Sequence, residues 1–555
     1  MNFVRLGLLT CPFIRTRSLG TFLGLLLVST LATSCTRFWG GASSSHSKAG
    51  SRPLRIHLTG EPVSIDPTQA EDGLSLKILA NLMDGLVGYD NSGELRLRLA
   101  RGFRVLDGGL RYEFELRPEA KWSDGVDVQA LDFVTGVRRA LNASQGAKLA
   151  GLLQVLKSPA TEGVFEKEGR VVFQLKRPIP YFLDLLTLPV TLPLREDILK
   201  SAGGKWPESA PVTGPYRLVK HQTDVRWEME RNPLALEPLT LTGGKIPDAE
   251  RSRGVSGSES SARRSDDRAP ERLEWWVLTD ESTGANLFDS DQLDVLARIP
   301  NLDLPRLKAA SKVRSDPMHA TYYLAFNVRK AEVADVKVRR AISQSIHKAE
   351  VLRALGSGEP VAETFIPPGI TAGGVGKPSS VVATPMEASK GKKGRAPLDA
   401  SFDSGFRNSI VMEKVQADLR KHLGLELRLS QSDWKAHIRS LQTDPAPLFR
   451  FGWLAPFQDP ISHLQVFTQG NPNNYTGWAS PEYERWVAEV DRLPPGSPAR
   501  LAAIQKAEEI LLYKEVVVIP LFHYIQNHAV SSRVKGFRSN PMGITRYDEV
   551  GWAGK

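Results

Sequence analysis

Residues 450–460 read Arg450-Phe451-Gly452-Trp453-Leu454-Ala455-Pro456-Phe457-Gln458-Asp459-Pro460, and the reading of this stretch decides the fold. It opens as a short apolar strand running from Leu448 to Trp453. Gly452 lets the backbone come close to a partner, and an indole follows at Trp453. Pro456 and Pro460 then break the strand, because proline removes a donor and disfavours helix at the residue before it. A strand end that carries Gly-Trp into a Pro-rich loop can line a cleft with backbone groups and one aromatic wall. A buried Trp closing a strand is the plainer alternative.

Outward from this strand the periodicity alternates between helix and strand. Val411 to Leu423 reads as an amphipathic helix, Leu425 to Leu429 as a strand and Asp433 to Leu441 as a helix. On the other side lie helices at Pro481–Arg492 and Pro498–Tyr513, then a strand from Val516 to Phe522. Far upstream, Leu54 to Leu58 alternates as a strand and Glu61-Pro-Val-Ser-Ile-Asp-Pro67 is a turn-rich loop. Leu76, Leu79, Leu82, Met83 and Leu86 recur at helical spacing, which places a helix end near Gly85. Tyr112 to Leu116 alternates as a strand, Lys121-Trp-Ser-Asp-Gly125 closes a tight turn, and Val128 to Leu141 is a further helix.

At 555 residues the chain is too long for one core, and two or three domains are expected. Hydrophobic content of 41% and charged content of 24% are those of an ordinary globular protein. The net charge is +10, of which Arg5, Arg15 and Arg17 contribute three, leaving +7 for a chain that begins at Cys35. Much of that charge sits in two low-complexity insertions rather than in a basic helix or groove, which argues against a nucleic-acid partner. The three arginines precede an apolar run, Thr21 to Ala32, then Thr33-Ser34-Cys35. The run is about a dozen residues, too short to span a bilayer but right for the core of a signal peptide. Small residues before a lone Cys resemble a bacterial lipoprotein cleavage site, with residues 1–34 removed and Cys35 lipidated. Ser/Gly-rich residues 35–53 would then be a flexible tether. Cys11 and Cys35 are the only cysteines, so a mature chain has neither a disulfide framework nor a thiolate metal site.

The candidate chemistry is sparse. The histidines are read as scattered and without a metal-ligand partner at helical spacing; His437 and His319 are taken as packing residues. No phosphate loop or nucleophile elbow occurs. Asp124 and Asp132 near Trp122 read as turn and cap residues rather than catalytic carboxylates. No catalytic residues, no metal and no cofactor are predicted, and the chain is not read as an enzyme.

Taken together, several pieces resemble the family 5 extracellular solute-binding proteins, the oligopeptide- and dipeptide-binding group that serves ABC importers. They are Glu61–Pro67, Leu82-Met-Asp-Gly-Leu86, Tyr112–Arg117, Lys121–Gly125 with Asp132-Phe133, and Pro178-Ile-Pro-Tyr-Phe182. Gly214-Pro-Tyr-Arg-Leu218 with Glu230-Arg-Asn-Pro233, Tyr322–Asn327, Val336–Ala341 and Ile366–Gly369 continue the series. The opening stretch, Asn474–Gly477 with Pro481-Glu-Tyr483, Ile519–Phe522 and Val534–Phe537 complete it. Leu241 to Arg272 and Thr371 to Ser404 depart from it: both are poor in large apolar residues and read as surface loops without a core.

The resemblance implies an α/β, two-lobed periplasmic-binding-protein fold of type II, similar to cluster C, with an extra inserted domain. The N-terminal lobe maps to 54–87, 213–316 and 527–555, the inserted domain to 88–212 and the second lobe to 317–526. Ligand would sit between the lobes, held as an added strand by backbone groups from Arg450–Ala455 and Met318–Tyr323. The implied substrate-binding residues are Arg450, Gly452, Trp453, Leu454, Ala455, Pro456, Phe457, Ser75, Met318, Ala320 and Tyr323. The best-studied peptide binders place an Asp three residues after the Trp to pair with the ligand's terminal ammonium; here that place holds Pro456. Ungapped local matching puts Ser75, Leu188, Met318 and Leu441 where such relatives carry Glu, His, Tyr and Arg. Asp459 is the acid in the same loop that would have to stand in.

The expectation is therefore a monomeric, lipid-anchored solute-binding subunit at the periplasmic face of a bacterial membrane. It would pass an oligopeptide or peptide-like ligand to ABC transporter permeases. An amphiphile, a capped or cyclic peptide or a metal chelate is the alternative ligand, and a signalling lipoprotein that has lost transport is the alternative role.

Overall fold

The computed structural model describes residues 52–241, 269–370 and 396–553. The signal peptide, Cys35, most of the tether, residues 242–268 and residues 371–395 lie outside the described residues.

A single ten-stranded sheet runs through both lobes. From one edge to the other its strands are Leu427–Ser432, Leu398–Asp403, Leu448–Leu454, Val313–Phe326, Val518–Val530, Val295–Leu296, Leu54–Leu58, Arg272–Val277, Arg226–Arg231 and Tyr216–Gln222. Two of these are long: Val313–Phe326 has 14 residues and Val518–Val530 has 13. They lie side by side, antiparallel, in the middle of the sheet. The first half of Val313–Phe326 pairs with the last half of Val518–Val530 (Val313 with Ala529), and the second half with the first (Ala325 with Val518). The register shifts twice, between Pro317 and Thr321 and between Tyr322 and Tyr323, irregularities that bend the pair.

The strand Leu54–Leu58 is nearly all buried because it has parallel neighbours and is covered on both faces. The helix Gly73–Leu82 follows, started by Asp72, whose carboxylate accepts from the Leu74 and Ser75 amides at 3.0 Å each. Its end is where Gly214 arrives: a Cβ there would stand 2.6 Å from the Leu82 carbonyl carbon, so the position admits no side chain. Asn232 fastens the same turn, donating from its amide to the Gly214 carbonyl at 2.9 Å. Gly214-Pro-Tyr and Arg-Asn-Pro233 are thus two halves of one structural joint. Arg339 is another such staple: it is buried and gives its guanidinium to the carbonyls of Val333, Ala334, Glu515 and Val516.

Within residues 88–212 a separate four-stranded antiparallel sheet (Ala100–Leu106, Arg111–Leu116, Arg170–Gln174, Val164–Lys167) packs against the helix Ala130–Leu141. Phe114, Phe173 and Phe182 form its aromatic core, with ring centroids 5.9 and 5.4 Å apart. Asp132 caps that helix, accepting from the Gln129 amide and the Trp122 indole, as its reading as a cap residue requires.

Two expectations fail here. Thr371–Ser404 is not loop to its end: Leu398–Asp403 is a strand in the sheet, with Leu398, Ala400 and Phe402 buried. The last strand does not stop at Phe522. It continues through the polar run His523–His528 to Val530, because one crossing strand must serve both lobes. Among the described residues no helix is long and apolar enough to cross a membrane.

Candidate functional site

The strand Leu448–Leu454 is asymmetrical. On one side Leu448 through Leu454 pair with Phe326 through Ala320. On the other, only Leu448 and Phe449 have a strand neighbour, in Ala400 and Ser401. From Arg450 onward that second edge has no strand neighbour among the described residues. Backbone groups alternate along a strand, and the Ala455 amide donates to His319 O at 2.9 Å, so Phe451, Trp453 and Ala455 turn theirs toward the crossing strand. Arg450, Gly452 and Leu454 turn theirs outward. The Arg450 carbonyl is already met by His437 Nε2 at 3.0 Å. Among the described residues the N–H and C=O of Gly452 and Leu454 have no partner and form a free strand edge.

The side chains around this edge are mostly committed. Arg450 is buried; its Nη1 bonds Asp403 Oδ1 at 2.6 Å, its Nη2 donates to the Tyr524 hydroxyl at 2.6 Å, and its guanidinium lies 4.4 Å over the Tyr322 ring. It braces the strand rather than offering a charge to ligand. Gly452 is needed by this bracing as well, since a Cβ would stand 2.8 Å from the Tyr524 hydroxyl oxygen. Trp453 is half-buried and anchored by its indole N–H to Ser462 O at 2.8 Å. Leu454 is 44% exposed, and Trp434, 52% exposed, stacks on Phe451 with centroids 5.8 Å apart. Trp434, Tyr524 and Asp403 were not singled out from sequence. Trp434 had a signal, an aromatic directly after a capping Asp; Tyr524 and Asp403 join only through the fold.

Other predicted residues scatter. Ala320 is buried opposite Leu454, and Met318, half-buried at the bulge, would lie 3.1 Å from a Cβ on Gly543. Three corrections follow. Ser75 is fully buried, bonded to Asp72 and accepting from the Ser64 amide, and offers nothing to a ligand. Tyr323 is a core residue packed on Phe365, Phe451 and Phe467. Phe457 stacks on Tyr181 at 5.3 Å, fastening the loop to the smaller sheet's region rather than facing outward. Gln458 continues that fastening, donating to Gly93 O at 3.0 Å and, from its backbone, to the Tyr89 hydroxyl at 3.2 Å.

Pro456 leaves the position after the strand without a carboxylate, and Asp459 does not replace it. Both Asp459 oxygens are held by Arg500 Nη2, at 2.7 and 2.8 Å, in a buried pair, and Oδ1 also caps the Ile461 amide. Another buried acid of the chain is Glu508. Its Oε1 accepts from the amides of Phe365 and Ile366 while its Oε2 is buried with no partner. Burial, with no cation to offset it, pushes this carboxyl up to about 7. His319 and His523, at the crossing strands, are pushed down to about 4 by burial and stay neutral at physiological pH. The histidines are not all solitary, however. His422 follows Asp418 by one helical turn, and both meet His347.

A single sheet with two crossing strands and an uncovered strand edge beside the junction defines a solute-binding protein of the two-lobed kind. The profile of bacterial extracellular solute-binding proteins, family 5 (middle region) matches residues 94–475. The chain belongs to this family. It is 25% identical over 547 residues to the dipeptide-binding protein DppE of Bacillus subtilis, covering 93% of this chain and 94% of that one. It is 24% identical to the probable deoxycholate-binding periplasmic protein YgiS of Escherichia coli, covering 87% and 90%. Among solved structures, the murein tripeptide-binding protein MppA of Escherichia coli superimposes with a TM-score of 0.73 at 21% identity, covering 91% of this chain and 99% of that one. Haemophilus influenzae OppA in complex with RPPGFSPFR gives 0.71 at 23%, covering 90% and 99%.

Proposed function

We propose that this protein binds peptides or peptide-like molecules between its lobes, without selecting for a free amino end, and delivers them to an ABC importer while anchored by lipid at Cys35. The observation that carries the reading is the outward edge of Gly452 and Leu454, where an extended ligand adds as a strand through its own backbone. Relatives named as dipeptide- and oligopeptide-binding support the ligand class. Tolerance of a blocked amino end follows from the chemistry of the loop. An ammonium held in a closed cleft needs a carboxylate or several acceptors in place of water, and leaving it bare costs several kcal/mol. Pro456 supplies neither, and the carboxylate of Asp459 is committed to Arg500. Closure would hinge at the bulge between Pro317 and Thr321. The test is calorimetric titration of wild type, Trp453→Ala and Pro456→Asp with matched free and N-acetylated peptides. Similar affinity of wild type for both forms, lost in Trp453→Ala, is expected; a strong wild-type preference for the free amine overturns the reading.

One observation favours an amphiphile as second ligand class. Leu454 and Trp434 are exposed beside the open edge, and a relative matched over most of its length is named as probably deoxycholate-binding. Saturable binding of a bile salt that competes with peptide would establish it.

A further inference from the structure

On the second lobe, two helices bring together three side chains that no part of the cleft uses. Asp418 and His422 lie one turn apart near the end of the helix Phe406–Leu423, so both project from one side of it. His347 precedes the helix Lys348–Leu355, and its backbone amide donates to Asp418 Oδ2 at 2.9 Å. One donor atom from each of the three lies within 4.8 Å of the other two, and the imidazoles of His347 and His422 are 4.5 Å apart, tilted by 46°. His422 Nδ1 is buried and has no hydrogen-bond partner. His347 Nδ1 stands 3.9 Å from Asp418 Oδ2, too far for a hydrogen bond.

We propose that His347, Asp418 and His422 form a binding site for a divalent, imidazole-preferring metal ion of the zinc class. Two imidazole nitrogens and one carboxylate oxygen are the donor set of three-ligand zinc sites, in which the fourth position is left to water. Zinc bonds of about 2.0–2.1 Å place tetrahedral donors roughly 3.4 Å apart, so no pair of the three needs to draw in by more than about 1.4 Å. His347 can supply that movement, because its side chain is 49% exposed and swings from the start of its helix. Asp418 is already oriented: Lys414 Nζ holds Oδ1 at 2.6 Å and is itself held by Glu350 at 2.8 Å, which leaves Oδ2 to face the imidazoles. Supporting hydrogen bonds of this kind fix a ligating carboxylate in place. The Lys414 ammonium also opposes a second cation nearby, so the site suits a metal held by directed bonds to nitrogen, not magnesium or calcium, which need mostly oxygen ligands. A bound ion would tie the start of one helix to the last turn of another, across 71 residues of sequence.

The experiment is calorimetric titration of the full-length, chelator-stripped protein with zinc chloride, repeated with His347→Ala, His422→Ala and Asp418→Asn. One equivalent is expected in wild type, with affinity falling in each variant by at least the 10–100-fold that loss of a mere supporting residue costs. Cobalt(II) substituted into wild type should give a visible ligand-field spectrum that vanishes in His347→Ala. Asp418 is buried and its variant is at risk of misfolding; His347 is exposed, so its variant keeps the test decisive. No zinc uptake by wild type overturns the proposal, and so does uptake undiminished in both histidine variants, which would place the ion elsewhere on the chain.

Discussion

The buried cluster around Arg546 and the outward edge of Gly452–Leu454 are both polar and have opposite amounts left to give. Arg546 is buried and bonds Asp84 at 2.7 Å, Asp548 at 3.2 Å and the Ala80 carbonyl at 3.1 Å. Asn91 closes the cluster with a reciprocal pair to the Arg546 backbone at 2.7 and 2.8 Å. Every guanidinium nitrogen of Arg546 has found an acceptor inside the protein, and the result is rigidity. At the cleft strand Arg450 is held by Asp403 and Tyr524, but the backbone of Gly452 and Leu454 has no strand partner on its outer side among the described residues. A region that has spent its hydrogen bonds holds a lobe together, and one that has kept them back is ready for a ligand.

The sharpest way to break that contrast is at Arg546. Arg546→Met takes from buried Asp84 and Asp548 the cation that bonds them, leaving only the charge of Arg98 nearby, and should lower unfolding free energy by about 3–5 kcal/mol in urea, with ligand affinity of the remaining folded protein little changed. An affinity loss matching the stability loss would erase the distinction. Glu508 stands between the two regions, with one oxygen satisfied and one orphaned. Its carboxyl is raised to about 7 in the fold, so it favours the folded state below about 4.5, and that contribution is lost as pH rises toward 7. Glu508→Gln should remove this slope, leaving the variant more stable than wild type by up to about 3 kcal/mol at pH 8 relative to the difference at pH 4. Parallel pH profiles for the two proteins would mean the carboxyl is ionised as folded.

At the open edge, Gly452→Val should weaken ligand binding by about 100-fold, or roughly 2.7 kcal/mol, by displacing Tyr524 and Arg450 and so distorting the strand they brace. Titration of the folded variant measures it, and retention of affinity within about threefold of wild type would show that the ligand does not use this edge. The smallest effect is the most specific. Acetylating a bound peptide's amino end should change wild-type affinity by no more than about threefold, whereas Pro456→Asp should favour the free amine by about tenfold.

Much of this architecture is legible in the sequence because it rests on local periodicity. The helix Pro481–Arg492 and the strand at Leu448 fall where apolar spacing puts them. What escaped depends on distant partners. Leu398–Asp403 follows a low-complexity run that masks its alternation, and it is a strand because parallel neighbours on both sides cover it. The polar residues His523–His528 look like loop until a second crossing strand is laid beside them. At the site, Gly452, Trp453 and Pro456 were readable by position, yet Arg450 changes meaning once Asp403 and Tyr524 arrive from 47 and 74 residues away. Asp459 likewise looked available until Arg500 came in from 41 residues on. Asp418 and His422 carried a visible one-turn spacing, and only His347 gave it a purpose.

The Arg546 cluster also sets a timetable. Asp84 waits for Arg546 across 462 positions, and Asn81 for Tyr547 across 466. The Leu54–Leu58 strand and the helix after it are among the first structured pieces to leave the ribosome, and the residues that lock them are among the last. Contacts of such long sequence separation form late and slowly. Until residues 518–547 are made, Asp84 lacks its Arg546 partner, Asn81 lacks Tyr547, and the sheet lacks its strand Val518–Val530. A chain arranged in this way postpones the locking of its first helix until residues 546 and 547 have been made.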